Sequence, residues 1–310
     1  MEQLNGLLVV NKPRGLSSAQ CTNRLKRLGQ RKIGHAGTLD PMAQGVLLVL
    51  LGQATKLSGY LMSGGTKTYK AVVEFGRSTD TWDDDGAVTS SLSGEDMRRL
   101  VLENAGFEAA LRAELASWVG ESEQAVPPYS AAKHEGRALY SLARAGKETP
   151  EKFKTVQISR AEVLWVDLPR AAFRVVCSSG TYIRSLAHSL GTRLSCGAVL
   201  TELIREYSHP FGLDSAAPLD ALLAEPELLY EKVIPLTAAL PEWPQLRVSL
   251  QDERAVKNGT PLAAERFGGR DWAPDAKAVL LAADGAPLAL AKAALCGSAR
   301  VWTVLRGLWA

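Results

Sequence analysis

The chain alternates between short apolar runs closed by turn residues and longer stretches whose apolar residues recur near helical spacing. "GLLVV" at 6–10 reads as a strand stopped by "NKPRG", because Pro13 cannot donate to a ladder and Gly15 permits unusual backbone angles. A helix follows: Ser17 or Ser18 can cap it, Cys21, Leu25 and Leu28 form its apolar stripe, and Gly29 ends it. "GVLLVLLG" predicts a buried strand, "ATKLSGYLMSGG" a short helix ending in glycines, and "TYKAVVEFG" a strand with partial alternation. Residues 94–118 carry helical patterning, "VPPYSAAKHEG" predicts a loop, and "RALYSLARAG" a helix with a glycine stop. "FKTVQISRAEVLWVDL" and "AFRVVCSSG" predict neighbouring strands joined by a polar turn, and Thr181 opens a helix through "TYIRSLAHSLGTRL".

Two prolines in "LPEWPQLRVSL" interrupt the chain after an acidic helical segment, and the texture then changes. One or two helical turns in "QDERAVKNG" precede strands at "AVLLAAD", "PLALAKAAL" and "VWTVLRGL", separated by "DGA" and "CGSA" turns. This pattern predicts a β-rich module of about 65 residues, close to the lower limit for independent folding. With 310 residues in all, the expected division is a larger domain at 1–240 and a small one at 245–310. No internal repeat is visible.

Composition supports folding throughout, with 46% apolar and 22% charged residues. A net charge of +3 does not by itself imply a polyanion partner, but the distribution is uneven. From Asn11 to Leu39 the cations Lys12, Arg14, Arg24, Lys26, Arg27, Arg31 and Lys32 occur without an Asp or Glu, whereas acids gather at Asp80, Asp83, Asp84 and Asp85. The N-terminal region is therefore either a solvated cationic face or a surface for a polyanion. Four scattered cysteines with no CxxC pair predict neither disulfides nor zinc, which fits a reducing cytoplasm. The longest apolar run, "VLLVLL", is far shorter than the roughly 20 residues of a membrane span, so no membrane role is expected. His35, His134, His188 and His209 never fall at ligand spacing. "STDTWDDDGAV" fails as a calcium loop, since aligning Gly86 puts Thr81 and Leu92 where carboxylates are required; it reads as a hydrophilic turn. Walker, GxGxxG and GxSxG motifs are missing, so no metal and no cofactor is expected.

One carboxylate stands out. Asp40 in "RKIGHAGTLDPMAQG" precedes Pro41 and is bracketed by Gly34, Gly37 and Gly45, so local propensity favours an Asx-type turn over a reactive group displayed on a loop. A carboxylate is ionised at neutral pH and can act as nucleophile or base if a cation keeps it charged in a desolvated site. Arg184, at the start of a helix, is a candidate partner. By pattern alone Tyr69 and Leu203 read as core, His35 as a residue tolerating a turn, and Arg184 as a surface side chain.

"VVNKPRGLSS", "RKIGHAGTLDPMAQGVLLVLLGQATK", "KTYKA", "GRSTDTWDDDG", "VPPYSAAKHEGRALYSLARAG" and "CSSGTYIRSL" resemble, in this order, the successive motifs of the TruB-type tRNA pseudouridine synthases. The resemblance spans residues 6–211 and turns on six ordered motifs rather than one. It implies an α+β pseudouridine synthase fold, a central mixed, mostly antiparallel sheet flanked by helices, with a small C-terminal β-rich PUA domain. The implied activity is isomerisation of uridine 55 in the TΨC loop of tRNA, by a cytoplasmic monomer without cofactor. Carried over position by position, Asp40 is the catalytic nucleophile, Tyr69 stacks on the target base, and Arg184 pairs with the aspartate. Tyr182 and Leu203 line the uracil pocket, His35 touches the refolded loop, and Lys12 and Lys67 are basic residues near the site. The chain departs from the pattern at Ser189, where an Asp is usual, and at Glu206 and Pro210 in "LIREYSHPFGL". The rival readings are a non-catalytic tRNA-binding or RNA-folding protein, a glycosidic-bond hydrolase, for which no second carboxylate lies in the motif core, and a guide-RNA-dependent synthase, for which a long basic tail is missing.

Overall fold

The computed structural model describes residues 3–63, 65–130, 132–134, 136–144, 149–267 and 272–309. β1 (Gly6–Lys12) leads through a turn into α1 (Ser18–Lys26), then β2 (Ile33–Ala36) and β3 (Gln44–Leu51). α2 (Ser58–Ser63), β4 (Thr66–Phe75), α3 (Phe107–Ser117) and β5 (Gly120–Ala125) follow. Next come β6 (Phe153–Asp167), β7 (Arg170–Ser178), α4 (Ile183–Arg193) and β8 (Ala198–Ser208). Among the described residues the large sheet has eleven strands, and its main path runs from the two-residue strand Ala217–Pro218 through β1, β3, β8, β4, β7, β6 and β5. Its pairings are antiparallel except β3 with β8 and β1 with Ala217–Pro218.

Every residue of β3 but its first is buried because both faces are covered. α1 packs Cys21 and Leu25 on Leu47, Val49 and Leu51, while Leu57 and Leu61 cover Val46, Leu48 and Leu50 from the other side. A second core lies where α3 and α4 pack on β4, β7 and β8, through Leu111, Leu115, Ile183 and Leu190 against Val73, Phe173, Val175 and Leu203. Outward on α1 stand Arg24 and Lys26, as its apolar stripe requires.

The strands beyond residue 240 form a separate five-stranded sheet. β9 (Gln245–Arg247) is followed by α5 (Leu250–Lys257), β10 (Leu262–Ala263), β11 (Lys277–Leu281), β12 (Pro287–Cys296) and β13 (Ala299–Gly307). The order is β9, β11, β12, β13, β10. Val279, Leu281, Leu290 and Leu308 share one apolar cluster with Leu7, Val9 and Leu48, so this sheet completes the cover over β1 and β3.

Several expectations shift. Ser17 caps α1 in a capping box with Gln20, which leaves Ser18 for another task. α4 starts at Ile183 with Tyr182 as N-cap, not at Thr181. The 94–118 helix is broken: Gly94–Met97 runs into a π-helical turn at Arg98–Leu102 before α3. Residues 137–146 begin as the short strand Arg137–Ala138, the helix is Leu139–Arg144, and its expected glycine stop lies outside the described residues. β8 and β5 were not foreseen. Among the described residues no helix is long and apolar enough to cross a membrane.

Candidate active site

Asp40 lies on the loop between β2 and β3, and its two neighbours are pinned. Ser18 Oγ accepts from the Leu39 N–H (2.8 Å) and donates to the Leu39 carbonyl (3.1 Å). The Pro41 carbonyl accepts from the Gly15 N–H (2.8 Å) and from Lys12 Nζ (3.3 Å). Lys12 is fully buried, and its ammonium also donates to the carbonyls of Pro13 (2.9 Å) and Leu16 (2.5 Å). Loss of water pulls its pKa down to about 8, against the attraction of Cys21 and Asp40. The "NKPRGLSS" turn thus serves as the underside of the Asp40 loop.

The loop leaves through Gly45, where β3 meets β8 in parallel. A side chain there would put its Cβ 2.3 Å from the Arg205 carbonyl, and φ is +101°, so only glycine fits.

The first turn of α4 brings Arg184 onto Asp40 as a fork. Nε donates to Oδ2 (2.9 Å) and Nη2 to Oδ1 (3.2 Å). The guanidinium also donates to the carbonyls of Thr81 (2.9 Å) and Tyr129 (2.8 Å), and only 4% of the residue is exposed. Asp83 lies on its other side, 3.5 Å from Nη1, and accepts from Thr81 Oγ1 at 2.5 Å. Burial raises the Asp83 carboxyl above the ordinary aspartate value, with Thr81 and then Arg184 pulling it back. The acidic turn is held there by the start of β8, through Asp84 N–H to the Leu200 carbonyl (3.0 Å). This corrects two expectations: the "hydrophilic turn" is part of the site, and a second carboxylate does lie beside Asp40. Asp83, however, does not line the cavity onto which Asp40 faces.

That cavity measures about 340 Å³ and is lined by Asp40, Lys67, Tyr69, Tyr182, Arg184 and Leu203 among others. The alternation of β4 puts Lys67 and Tyr69 on one face, and Leu203 and Arg205 of β8 stand opposite Ala71 and Tyr69. Tyr69 is buried, which raises its hydroxyl pKa, while the Arg205 guanidinium works the other way. Tyr182 is positioned by its N–H, which donates to Gln124 Oε1 of β5 (2.7 Å). Six of the eight expected site residues therefore converge. Lys12 and His35 do not line the cavity. His35 is half-buried on β2, its Nε2 3.2 Å from Thr38 Oγ1, and burial, then Arg205, lowers its pKa, so the ring is neutral at pH 7.

Sequence reasoning missed Asp83, Thr81 and Arg205. A signal for Arg205 existed: it follows Leu203 by two positions in a strand, so it faces inward with it. Glu206 faces the other way and pairs with Arg174 at 2.7 and 3.0 Å, so that departure does not reach the cavity. Ser189 lines a different cavity of about 420 Å³, with Trp82, Gln124 and His188. Pro210 lies in the hairpin that pairs Tyr207 and Ser208 of β8 with Gly212 and Phe211. Among the described residues no group of three or more His, Cys, Asp or Glu could hold a metal ion.

Comparison with known proteins matches residues 25–183 to the family described as TruB family pseudouridylate synthase (N terminal domain). The chain belongs to the TruB family of pseudouridylate synthases. A family member named tRNA pseudouridine synthase B, from Nitratidesulfovibrio vulgaris (strain Hildenborough), is 59% identical, the match covering 99% of each chain. The protein of that name from Oleidesulfovibrio alaskensis is also 59% identical, over 100% of this chain and 98% of its own. In solved structures, a chain of a Cbf5-Nop10-Gar1 complex has a TM-score of 0.68 at 22% identity, covering 98% of this chain and 85% of that one. This likeness covers both sheets and bears out the expected fold, a pseudouridine synthase sheet flanked by helices with a small β-rich domain after it.

Proposed function

We propose that this chain isomerises uridine to pseudouridine in tRNA, at the TΨC-loop position called 55. The relatives' names support the tRNA substrate and the reaction, and the ordered motifs support the position. The observation that carries the reading is the Arg184–Asp40 fork set at the wall of a cavity floored by Tyr69.

The reaction breaks the N1–C1′ bond, turns the uracil, and joins C5 to C1′, so the base must leave the helix stack without leaving the protein. Unstacking costs a few kcal/mol, offset by an aromatic platform and by hydrogen bonds to the base edge. Tyr69 is that platform, and Tyr182 and Leu203 bound the pocket. Asp40 is the reacting carboxylate, as nucleophile or as base. Attack at C1′, attack at C6 and removal of a C2′ proton all require a carboxylate held still in a mostly dry site. Arg184 holds both of its oxygens while the Ser18 and Lys12 contacts hold the backbone on either side. His35, on the loop edge, meets the refolded RNA loop.

We infer further that residues 1–240 form the catalytic domain and 245–310 a PUA-like RNA-binding domain, in a cytoplasmic monomer that needs no metal or cofactor. The test is tritium release from 5-tritiated uridine in tRNA, with the target uridine intact or replaced by cytidine. Release from the intact tRNA alone is expected. No release from the intact tRNA refutes the reading in favour of a binding protein, and equal release from both refutes the position.

A further inference from the structure

At Gly37, on the cavity wall, two cations come together with no carboxylate paired to either among the described residues. Arg205 is fully buried; Nε donates to the Val46 carbonyl (2.6 Å) and Nη2 to the Gly37 carbonyl (2.8 Å), while Nη1 makes no hydrogen bond of ordinary geometry among the described residues, although the Tyr69 hydroxyl is near enough to interact with the guanidinium. Lys67 is 8% exposed and, among the described residues, has neither hydrogen bond nor ion pair. The two converge on Gly37: a Cβ there would lie 3.3 Å from Lys67 Nζ and 3.4 Å from Arg205 Nη1. Lys154 reaches the same cavity over Gly180. Burial lowers the Lys67 pKa to about 8, and Arg205 and Lys154 push it the same way against the thiol of Cys177.

Buried charge is costly unless paired, and Lys12 in the same protein shows how backbone carbonyls can saturate an ammonium. At Gly37 no hydrogen bond from a described residue meets Lys67 Nζ or Arg205 Nη1, although the Gly37 carbonyl itself accepts from Arg205 Nη2. We propose that Lys67 and Lys154, with Arg205 behind Gly37, form the seat of one backbone phosphodiester of the RNA strand that carries the reacting uridine. The proposal rests on the reading above: a uridine stacked on Tyr69 brings its flanking phosphates with it, and Lys67 stands two residues from Tyr69 on the same face of β4, about 6.8 Å along the strand. An RNA phosphate supplies the missing acceptor, and a charge-assisted contact in a partly dry site both anchors the strand and fixes its register.

The test measures binding of a TΨC stem-loop across KCl concentrations, in an Asp40→Asn background so that the RNA is not converted. Lys67→Met should lower the slope of log K against log salt by about 1 and weaken binding about tenfold. Lys154→Met should act the same way, and Lys67→Arg should restore the slope. Replacing one linkage beside the uridine by a neutral methylphosphonate should weaken the parent about tenfold and leave Lys67→Met no weaker than before. A melting temperature for Lys67→Met at or above that of the parent shows that the fold is intact. An unchanged slope in both lysine variants, or an equal methylphosphonate penalty in parent and Lys67→Met, overturns the proposal. Tritium release by the wild-type chain, run in parallel, separates that failure from failure of the functional reading.

Discussion

The turn beneath the Asp40 loop and the cavity wall around Gly37 each bury a lysine, and burial lowers both ammonium groups to about 8. Their surroundings are opposite. Lys12 is closed in by three carbonyls, one of them adjacent to Asp40, and does not line the cavity. Lys67 lines the cavity, and its repulsive neighbours Arg205 and Lys154 contribute to lowering it. The difference separates scaffold from proposed binding group: a buried cation held by backbone carbonyls serves the fold, and one that no described residue accepts from is suited to take an anion.

The largest effect that would test this division lies between the two carboxylates. Arg184→Gln removes the cation that joins Asp40 to buried Asp83, and breaking a buried pair of this kind costs on the order of 3–5 kcal/mol. Turnover should fall by more than about a thousandfold, read by tritium release alongside urea unfolding.

Next in size is the contrast between the lysines. Lys12→Met strands the carbonyls of Pro13 and Leu16, while that of Pro41 keeps the Gly15 N–H, and each buried unmet acceptor costs about 1–3 kcal/mol. Its unfolding midpoint should drop and kcat should fall, because Pro41 loses a tether next to Asp40. Lys67→Met should leave stability unchanged or raised. A Lys67→Met protein as destabilised as Lys12→Met would erase the distinction.

How much of this was legible beforehand depends on the kind of signal. Apolar runs such as "GVLLVLLG" and the strands of the tail were readable because both faces, or alternate faces, are covered. The ordered motifs brought Asp40, Arg184 and Tyr69 forward together. β8 was passed over, although it joins the two halves of the sheet and carries Leu203 and Arg205, because "AVLTELIREYS" has polar residues on both faces: Glu206 pairs with Arg174 on one, Arg205 is buried on the other. Asp83 was hidden for a different reason. Its role arises only where a turn distant in sequence is tied to Leu200, and no local pattern encodes that contact.

A smaller effect follows from pH. The Lys67 amine carries its proton below about pH 8 in the free protein and loses it above, so RNA affinity should be greatest below that pH and decline as pH rises through it. A bound phosphate favours the charged form and moves the decline upward. Lys67→Arg should bind RNA without this decline, because a guanidinium stays charged; equal pH profiles for the two proteins would detach the decline from Lys67. The smallest change is expected from Glu206→Gln, which loosens a partly exposed pair with Arg174 away from the cavity: less than about 1 kcal/mol of stability and no change in turnover.

The central claim is that Asp40 reacts and that the rest of the constellation holds it in place. The direct measurement is tritium release from a 5-tritiated TΨC stem-loop by Asp40→Asn, in protein shown to melt and to bind the RNA like wild type. A loss on the order of ten-thousandfold is predicted; release within about tenfold of wild type, corresponding to about 1.4 kcal/mol, would contradict the account.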